Sequence, residues 1–424
     1  MKDSGVEWIG EIPFEWDVTI LSALFGERKH KNHNLEETNL LSLSYGQIKR
    51  KSIETNEGLL PASFETYNII EDGDIVFRLT DLQNDKRSLR TGLCKERGII
   101  TSAYVTLAKK ANDDPSYMHY LFHSYDICKV FYGMGDGVRQ GMNYINLKSL
   151  RVIRPPYTQQ VKIGDYLNRK CAQIDAVIVR QQEAIEKLKA YKLSVITEAV
   201  TKGLNPDVPM NDSGVEWIGQ IPEHWFIHKL CWDYSAMLGK MLDVKRVTGK
   251  NLHPYIKNAD VQWFSINSTD LDEMDFDENE TERYSVKPGD LMICEGGEIG
   301  KCAIVPDDFP NDIFYQKALH RVRKRSEKSG NIEFLAYLML VMAKNSCFTT
   351  SPEKATIAHL PGDALRQLRL PTPPFTEQSD IVDYLRQRCQ SIDKAIDCGI
   401  EVVYKLTEYK KSLIYEVVTG KREV

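Results

Sequence analysis

The chain is written twice, and that repetition limits its fold more than any other feature. Residues Asp3 to Gly10 read DSGVEWIG and are followed by Ile12-Pro13; residues Asp212 to Gly219 read DSGVEWIG again and are followed by Ile221-Pro222. A second echo pairs Pro155-Pro156-Tyr157-Thr158-Gln159-Gln160 with Pro373-Pro374-Phe375-Thr376-Glu377-Gln378. It runs to the end of the chain, where Ser194, Ile196, Glu198, Val200 and Thr201 answer Ser412, Ile414, Glu416, Val418 and Thr419. Between these anchors the halves share layout more than letters. Asp72-Gly73-Asp74 and Pro288-Gly289-Asp290 are each a turn that opens an apolar strand. Tyr117 to Leu121 and Phe334 to Leu338 each read as part of a buried helix. At 424 residues the chain exceeds what one core serves, so two similar α/β domains, each followed by a long helix, are expected.

The long helices declare themselves by period. From Thr158 to about Lys202, seam positions alternate by four and three residues through Leu167, Cys171, Ile174, Ile178, Gln181, Ile185, Leu188, Lys192, Val195 and Ala199. The second copy follows the same register with Leu385, Cys389, Ile392, Ile396, Gly399, Val403, Leu406, Lys410, Leu413 and Val417. The Pro-Pro steps fix where each helix can begin, with Thr158 and Thr376 as N-caps. At about 1.5 Å per residue such a rod is roughly 65 Å long and cannot bury its stripe alone. Packing of each helix on its own domain would leave one end bare. An antiparallel pair of the two helices would not, and it would set the domains at opposite ends. The expected class is therefore mixed α+β: two similar α/β domains separated by two long antiparallel coiled-coil helices, with a pseudo-twofold internal repeat. The boundaries are 1–157 for the first domain, 158–204 for the first helix, 205–375 for the second domain and 376–424 for the second helix.

Composition narrows the classes of function. The longest apolar run, Phe334 to Ala343, is too short to span a bilayer, and Met1-Lys2-Asp3-Ser4 opens no signal-peptide core, so a cytoplasmic protein is expected. The nine cysteines are scattered and include no Cys-x-x-Cys pair, which argues for reduced thiols and against zinc. A net charge of -5 excludes nonspecific coating of nucleic acid, which needs a broad positive field. A specific reader needs only local basic surface, and the cations cluster at Lys49 to Lys51, Lys86 to Arg97 and Arg321 to Lys328.

Several stretches imitate catalytic motifs. Arg154-Pro155-Pro156-Tyr157 is close to the Pro-Pro-Tyr core of adenine methyltransferases, but Arg stands where Asn or Asp should hold a flipped base, and helix entry is the better reading. Gly133-x-Gly135-x-Gly137 follows a helix where a methyl-donor loop should follow a strand. Gly296 to Cys302 is one residue short of a P-loop and has Cys302 in place of the magnesium-binding hydroxyl, so it reads as a hairpin turn. Asp275-x-Asp277-x-Asn279 begins like a calcium loop and then breaks the pattern at Glu280 and Val286. No catalytic set and no metal site is expected.

In the order of its motifs, twice over, the chain resembles the specificity subunits of type I restriction-modification systems. The carriers are the openings Asp3 to Trp16 and Asp212 to Trp225, the Gly-Asp turns, the Pro-Pro steps, the long helices, and the stretches Gly141 to Leu147 and Thr356 to Leu360. The resemblance implies a non-catalytic, sequence-specific DNA-binding subunit whose two target-recognition domains each read one half of a bipartite site. It also implies docking to two modification (methyltransferase) subunits and to restriction (translocase and nuclease) subunits. S-adenosylmethionine, ATP and magnesium would then sit on those partners, with no cofactor in this chain. A self-contained DNA adenine methyltransferase is one rival, although catalytic and recognition lobes should not share an opening. A coiled-coil protein adaptor that binds no DNA is the other.

Candidate DNA-binding residues follow from side-chain chemistry, since Arg forks to guanine, Asn and Gln to adenine, and cations or small polar groups to phosphate. In the first domain these are Arg78, Arg87, Arg90, Tyr104, Arg139, Gln140, Asn143 and Tyr144. In the second they are Lys240, Arg246, Lys301, Gln316, Lys317, His320, Arg321, Lys354, Thr356 and His359. Tyr104 and His320 are expected at matching places on equivalent strands.

Overall fold

The computed structural model describes residues 1–51, 63–82, 89–134, 141–241, 249–348 and 359–424. The chain forms two compact units: Met1–Glu183 with Gly399–Val424, and Ala184–Cys398. The division runs through both long helices, Tyr157–Lys202 and Phe375–Val418, rather than along their starts.

In the first unit a four-stranded antiparallel sheet has the order Phe25–Glu27, Val105–Lys109, Ile75–Phe77, Thr91–Leu93. The second unit has the same order in Tyr234–Leu238, Leu319–Lys324, Leu291–Cys294, Cys302–Ile304. With Pro115–Ile127 and Ile332–Lys344 as the equivalent helices, each unit is α+β. The second unit adds a three-stranded sheet in which Leu252–Ile256 pairs antiparallel with Glu273–Asp275 and parallel with Phe314–Tyr315.

The repeated letters make repeated bonds. Asp3 Oδ1 accepts from Gly5 N at 2.9 Å and Ser4 N donates to Gly10 O at 3.0 Å. Asp212 and Ser213 do the same with Gly214 and Gly219 at 3.0 and 2.9 Å. The turns need glycine because φ is 62° and 71° at Gly5 and Gly10, and 63° and 69° at Gly214 and Gly219. Arg151 and Arg369 then tie the turns down, each donating from Nη1 to the carbonyl of Gly5 or Gly214, at 2.9 and 3.1 Å.

The Pro-Pro steps start the helices one residue earlier than expected. Gln160 N and Gln378 N donate to Pro156 O and Pro374 O at 3.0 and 2.9 Å, so Thr158 and Thr376 lie inside the first turn and are not the N-caps. The more telling residues are the glutamines. Gln160 Nε2 donates to Pro155 O and its Oε1 accepts from Asp114 N, both at 2.9 Å. Gln378 does the same with Pro373 O at 2.9 Å and Asn331 N at 2.8 Å. Asp114 and Asn331 are the N-caps of the short buried helices, so one glutamine joins two helix starts in each unit.

Each core takes part of a long helix that belongs to the other repeat. Leu413, Ile414, Val417 and Val418 are buried with Leu167, Cys171 and Ile174 in the first unit. Val195, Ile196, Ala199 and Val200 are buried with Leu385 and Cys389 in the second. Ile178, Val403 and Leu406 are half-buried in the first unit and Leu188 in the second, where Ile185, Ile392 and Ile396 are buried. Two ion pairs mark the register: Lys410 Nζ to Asp175 and Lys192 Nζ to Asp393, both at 2.6 Å.

Two polar features inside the first unit bear on stability. Arg90 is wholly buried, its Nη1 donating to Thr80 O at 2.8 Å while its N–H reaches Asp126 Oδ2 at 2.6 Å. Replacing it strands the Thr80 carbonyl and that of Asp81, 3.4 Å from its Nη2, so Arg90→Met should lower unfolding free energy by about 3 kcal/mol in urea titrations. His119 and His123 sit on the Pro115–Ile127 helix, and burial lowers them to about 4 and about 3. The neutral rings are the ones the fold accommodates. The unfolded chain therefore binds more protons below the ordinary histidine value of 6.5, and stability falls as pH drops from there towards 4. The melting temperature of the wild type should fall over that window more steeply than that of a His119→Gln/His123→Gln double variant; parallel curves would refute this.

Candidate nucleic-acid interface

In each unit one end of the four-stranded sheet gathers the polar loops. In the second unit the strand Leu291–Cys294 runs into Glu295, whose N–H donates to Ala318 O at 2.9 Å and whose carbonyl accepts from Leu360 N at 2.7 Å. Asn258 Nδ2 adds a bond to Gly296 O at 2.8 Å. This brings the 295–301 hairpin, the 316–318 turn and the segment at His359 together. In the first unit the same crossing is Met142 N to Leu79 O at 2.9 Å, with Arg78 N donating to Arg90 O at 2.8 Å.

The candidate residues divide sharply at this end. Lys317, His359 and Asn143 are exposed, and Arg78, Tyr104, Lys301 and Gln316 are half-buried. Asn143 uses its Oδ1 to cap Tyr144–Leu147, accepting from Ile145 N at 2.9 Å. Five others are structural instead. Arg90 holds the 78–81 loop as described above. Tyr144 donates its hydroxyl to Phe25 O at 2.8 Å. Lys240 donates to Asp275 O at 2.7 Å and pairs with Glu280. His320 is wholly buried, its Nε2 donating to Leu360 O at 2.8 Å, and burial lowers its pKa so that the ring stays neutral. Arg321 is buried, donating to Ser285 O at 2.6 Å with its guanidinium 5.6 Å from the Tyr315 ring centre. Arg90, His320 and Arg321 correct the sequence expectation, because they are buried and bonded to main-chain carbonyls inside the fold, while Tyr144 and Lys240 are half-buried and bonded within it.

Tyr104 and His320 are also not equivalent. His320 is paired with Ile293, and the residue paired with the matching Phe77 is Val105, so the sequence match was one residue out. Arg87, Arg139, Gln140, Arg246, Lys354 and Thr356 lie outside the described residues.

Sequence reading missed Asn258 and a cluster that braces the hairpin. Trp263 Nε1 donates to Glu298 Oε1 at 2.8 Å, and Lys344 Nζ lies 3.2 Å from the same oxygen. The indole bond, with Lys344 beside it, holds the Glu298 carboxyl below its usual range. Three residues so far apart in the chain leave no local pattern to find. The 296–302 stretch is a hairpin as expected, and Cys302 is buried under the Ile332–Lys344 helix with Sγ 3.8 Å from Ala336 O. Among the described residues no helix is long and apolar enough to cross a membrane.

Comparison with known proteins agrees with this architecture. A family model described as the type I restriction modification DNA specificity domain matches residues 238–401. The chain is similar to the specificity subunit of the type I restriction enzyme EcoKI of Escherichia coli K12, 23% identical over 288 residues, a match spanning 63% of this chain and 58% of that protein. It is also similar to the putative MjaX specificity subunit of Methanocaldococcus jannaschii, 22% identical over 434 residues, covering 98% of this chain and 96% of that one. In fold it resembles a chain from a type I R-M system studied for complex assembly and conformational transition, with a TM-score of 0.74 at 15% identity, covering 97% of this chain and all of that one. The HsdS subunit from Thermoanaerobacter tengcongensis gives a TM-score of 0.54 at 14% identity over 97% and 98% of the two chains. In motif order, doubled sheet and long helices the chain is similar to the specificity subunits of type I restriction-modification systems, and its residues 238–401 match their DNA specificity domain.

Proposed function

We propose that this chain reads a bipartite duplex DNA target, one half-site for each unit, in the cytoplasm. The observation that carries the proposal is the pairing of a common framework with unlike connections at the same sheet end: Phe77 and Thr91 close one strand and open the next in one unit, Cys294 and Cys302 in the other, so the first connection is the longer in sequence. A shared scaffold with unlike loops suits two readers of unlike sequence. Two modification subunits would dock on the helical region and restriction subunits would join them. The chemistry that needs S-adenosylmethionine, ATP and magnesium would belong to those partners, leaving recognition to this chain.

The long helices would act as the spacer between readers, so their length should set the unread gap. Inserting one heptad in each helix, between Ala184 and Ile185 and between Cys398 and Gly399, keeps the seam in phase. At about 1.5 Å per residue and about 3.4 Å per base pair, the two-part motif found by sequencing methylated host DNA should lengthen by about three base pairs. An unchanged motif would refute the spacer role. Lys317 is exposed and would meet phosphate, so Lys317→Ala in the modification complex should weaken duplex binding across sequences and reduce the salt slope by about one. Binding with no salt dependence would favour the adaptor reading instead.

A further inference from the structure

Three large apolar or aromatic residues stand on a left-handed backbone, where a Cβ is crowded: Leu35, Tyr45 and Phe264, with φ of 55°, 49° and 61°. Two of the three turns are held from inside the fold. Beside Leu35, the wholly buried Asn32 accepts from Glu37 N at 3.0 Å and donates to Glu37 O at 2.9 Å. Beside Phe264, Trp263 is bonded to Glu298, and the Phe264 ring centre lies 5.2 Å from that of Tyr337. Tyr45 is 82% exposed, more than any other large hydrophobic side chain among the described residues. A tyrosine kept in a strained turn with its ring in water is a sign of use outside the chain.

Tyr45 and Gly46, the latter with φ of 75°, are the two turn residues between the paired strands Leu41–Ser44 and Gln47–Arg50. Positive φ at both gives the turn that matches the twist of a hairpin, and asparagine before glycine is the pair it favours. One face of this hairpin is core: Leu41 and Leu43 are buried with Ile70 and Val76, and Ile48 packs on them. The other face sets Ser42 opposite Lys49 and Ser44 opposite Gln47, with Gln47 and Lys49 exposed. Residues 40–51 hold three cations and no carboxylate, in a chain whose net charge is -5. A Cβ on Gly46 would lie 3.1 Å from Leu89 Cβ and 3.5 Å from Thr91 O, so the turn stands at the sheet end where Arg78 is bonded to Arg90. The second unit also rests a hairpin on its matching outer strand, Val261–Gln262 with Ser265–Ile266, but those strands are two residues each and their turn is the one bonded to Glu298.

We infer that the 41–50 hairpin is a two-stranded ribbon that enters the major groove of duplex DNA, with Gln47 and Lys49 towards base edges and Tyr45 against the duplex at its leading end. This rests on the DNA-reading proposal above and names the element that reads the first unit's half-site. The major groove, about 12 Å wide, admits such a ribbon, and its base edges pair with these side chains: glutamine with adenine, lysine with guanine, serine with either. A face of lysine, glutamine and serine without a carboxylate suits an anionic polymer. The apolar face of a partner protein would leave the same groups without acceptors or donors.

The test uses the assembled modification complex and a pool of random-sequence duplexes from which the wild type selects its target. Gln47→Ala and Lys49→Ala should each select that target with a base position relaxed in one half-site and the other half-site unchanged. Tyr45→Asn should bind the wild-type target about tenfold more weakly by gel shift, with a melting temperature no lower than that of the wild type because asparagine suits the turn. An unaltered target from both alanine variants overturns base reading by the ribbon, and equal affinity for Tyr45→Asn overturns the role of its tip; either result leaves DNA reading intact. A lowered melting temperature for Tyr45→Asn overturns the inference, since the ring is then structural. Loss of the assembled complex on gel filtration overturns it as well, by assigning the tip to a protein partner. If the wild-type complex selects no duplex, the DNA-reading proposal itself fails.

Discussion

Burial of the stripe along each long helix is the constraint on which the rest depends. A helix with one apolar face is marginal in water until that face is covered. Here the covering is reciprocal. The end of the second long helix supplies Leu413, Ile414, Val417 and Val418 to the first unit's core, and the matching end of the first helix supplies Val195, Ile196, Ala199 and Val200 to the second. Each Leu, Ile or Val among them is worth about 1.5–3 kcal/mol when fully buried, so neither core is complete without the borrowed segment. Tyr117 shows how tightly the segment is held: its buried hydroxyl donates to Val418 O at 3.2 Å, near the very end of the second helix.

Hydrophobic seams by themselves tolerate sliding, and the two Lys-Asp pairs supply what they lack. Lys410 with Asp175 and Lys192 with Asp393 are the same pair read from the two repeats, each aspartate on one helix and its lysine on the other. Both are partly exposed, at 27% and 47% in one pair and 26% and 49% in the other, so their stabilising value is modest. Their value lies in discrimination. Sliding the antiparallel register by one heptad would set Lys192 opposite Arg386, a like charge, while the apolar seam would barely register the change.

This explains what the sequence could and could not reveal. The seam was legible because a period of four and three over more than forty residues has few other meanings, and the repeat was legible because turns that need positive φ resist change at Gly5, Gly10, Gly214 and Gly219. The polar residues at the sheet ends were not. Residue type says that Arg90, His320 and Arg321 can donate hydrogen bonds; it does not say whether the acceptor is a base or a carbonyl of the same fold. The displaced match of Tyr104 with His320 has a similar cause, since a strand with apolar residues on both faces gives no phase by which to align it. Gln160 and Gln378 were visible as letters in both copies, yet their work of joining two helix starts needs coordinates to see.

The two units also solve one structural problem in different ways, which shows where the framework is permissive. Asp74 and Asp290 are equivalent buried carboxylates after the Gly-Asp turns, and each accepts from the main chain three residues back at 2.8 Å. The guanidinium that neutralises them comes from Arg28 beside an edge strand in one unit, and from Arg323 on the central strand in the other. The connection after each apolar strand diverges in the same manner. In the first unit it is long and is pinned by the buried Arg90, whereas in the second it is short and turns on the left-handed glycines Gly297 and Gly300. Charge neutralisation and turn closure are needed at both places, but the residue that provides them is free to move. The bonds repeated in both units include the opening turn, its arginine and the helix-joining glutamine, and none of these three is made by residues of the connections that differ. Stability held outside those connections leaves them free to change.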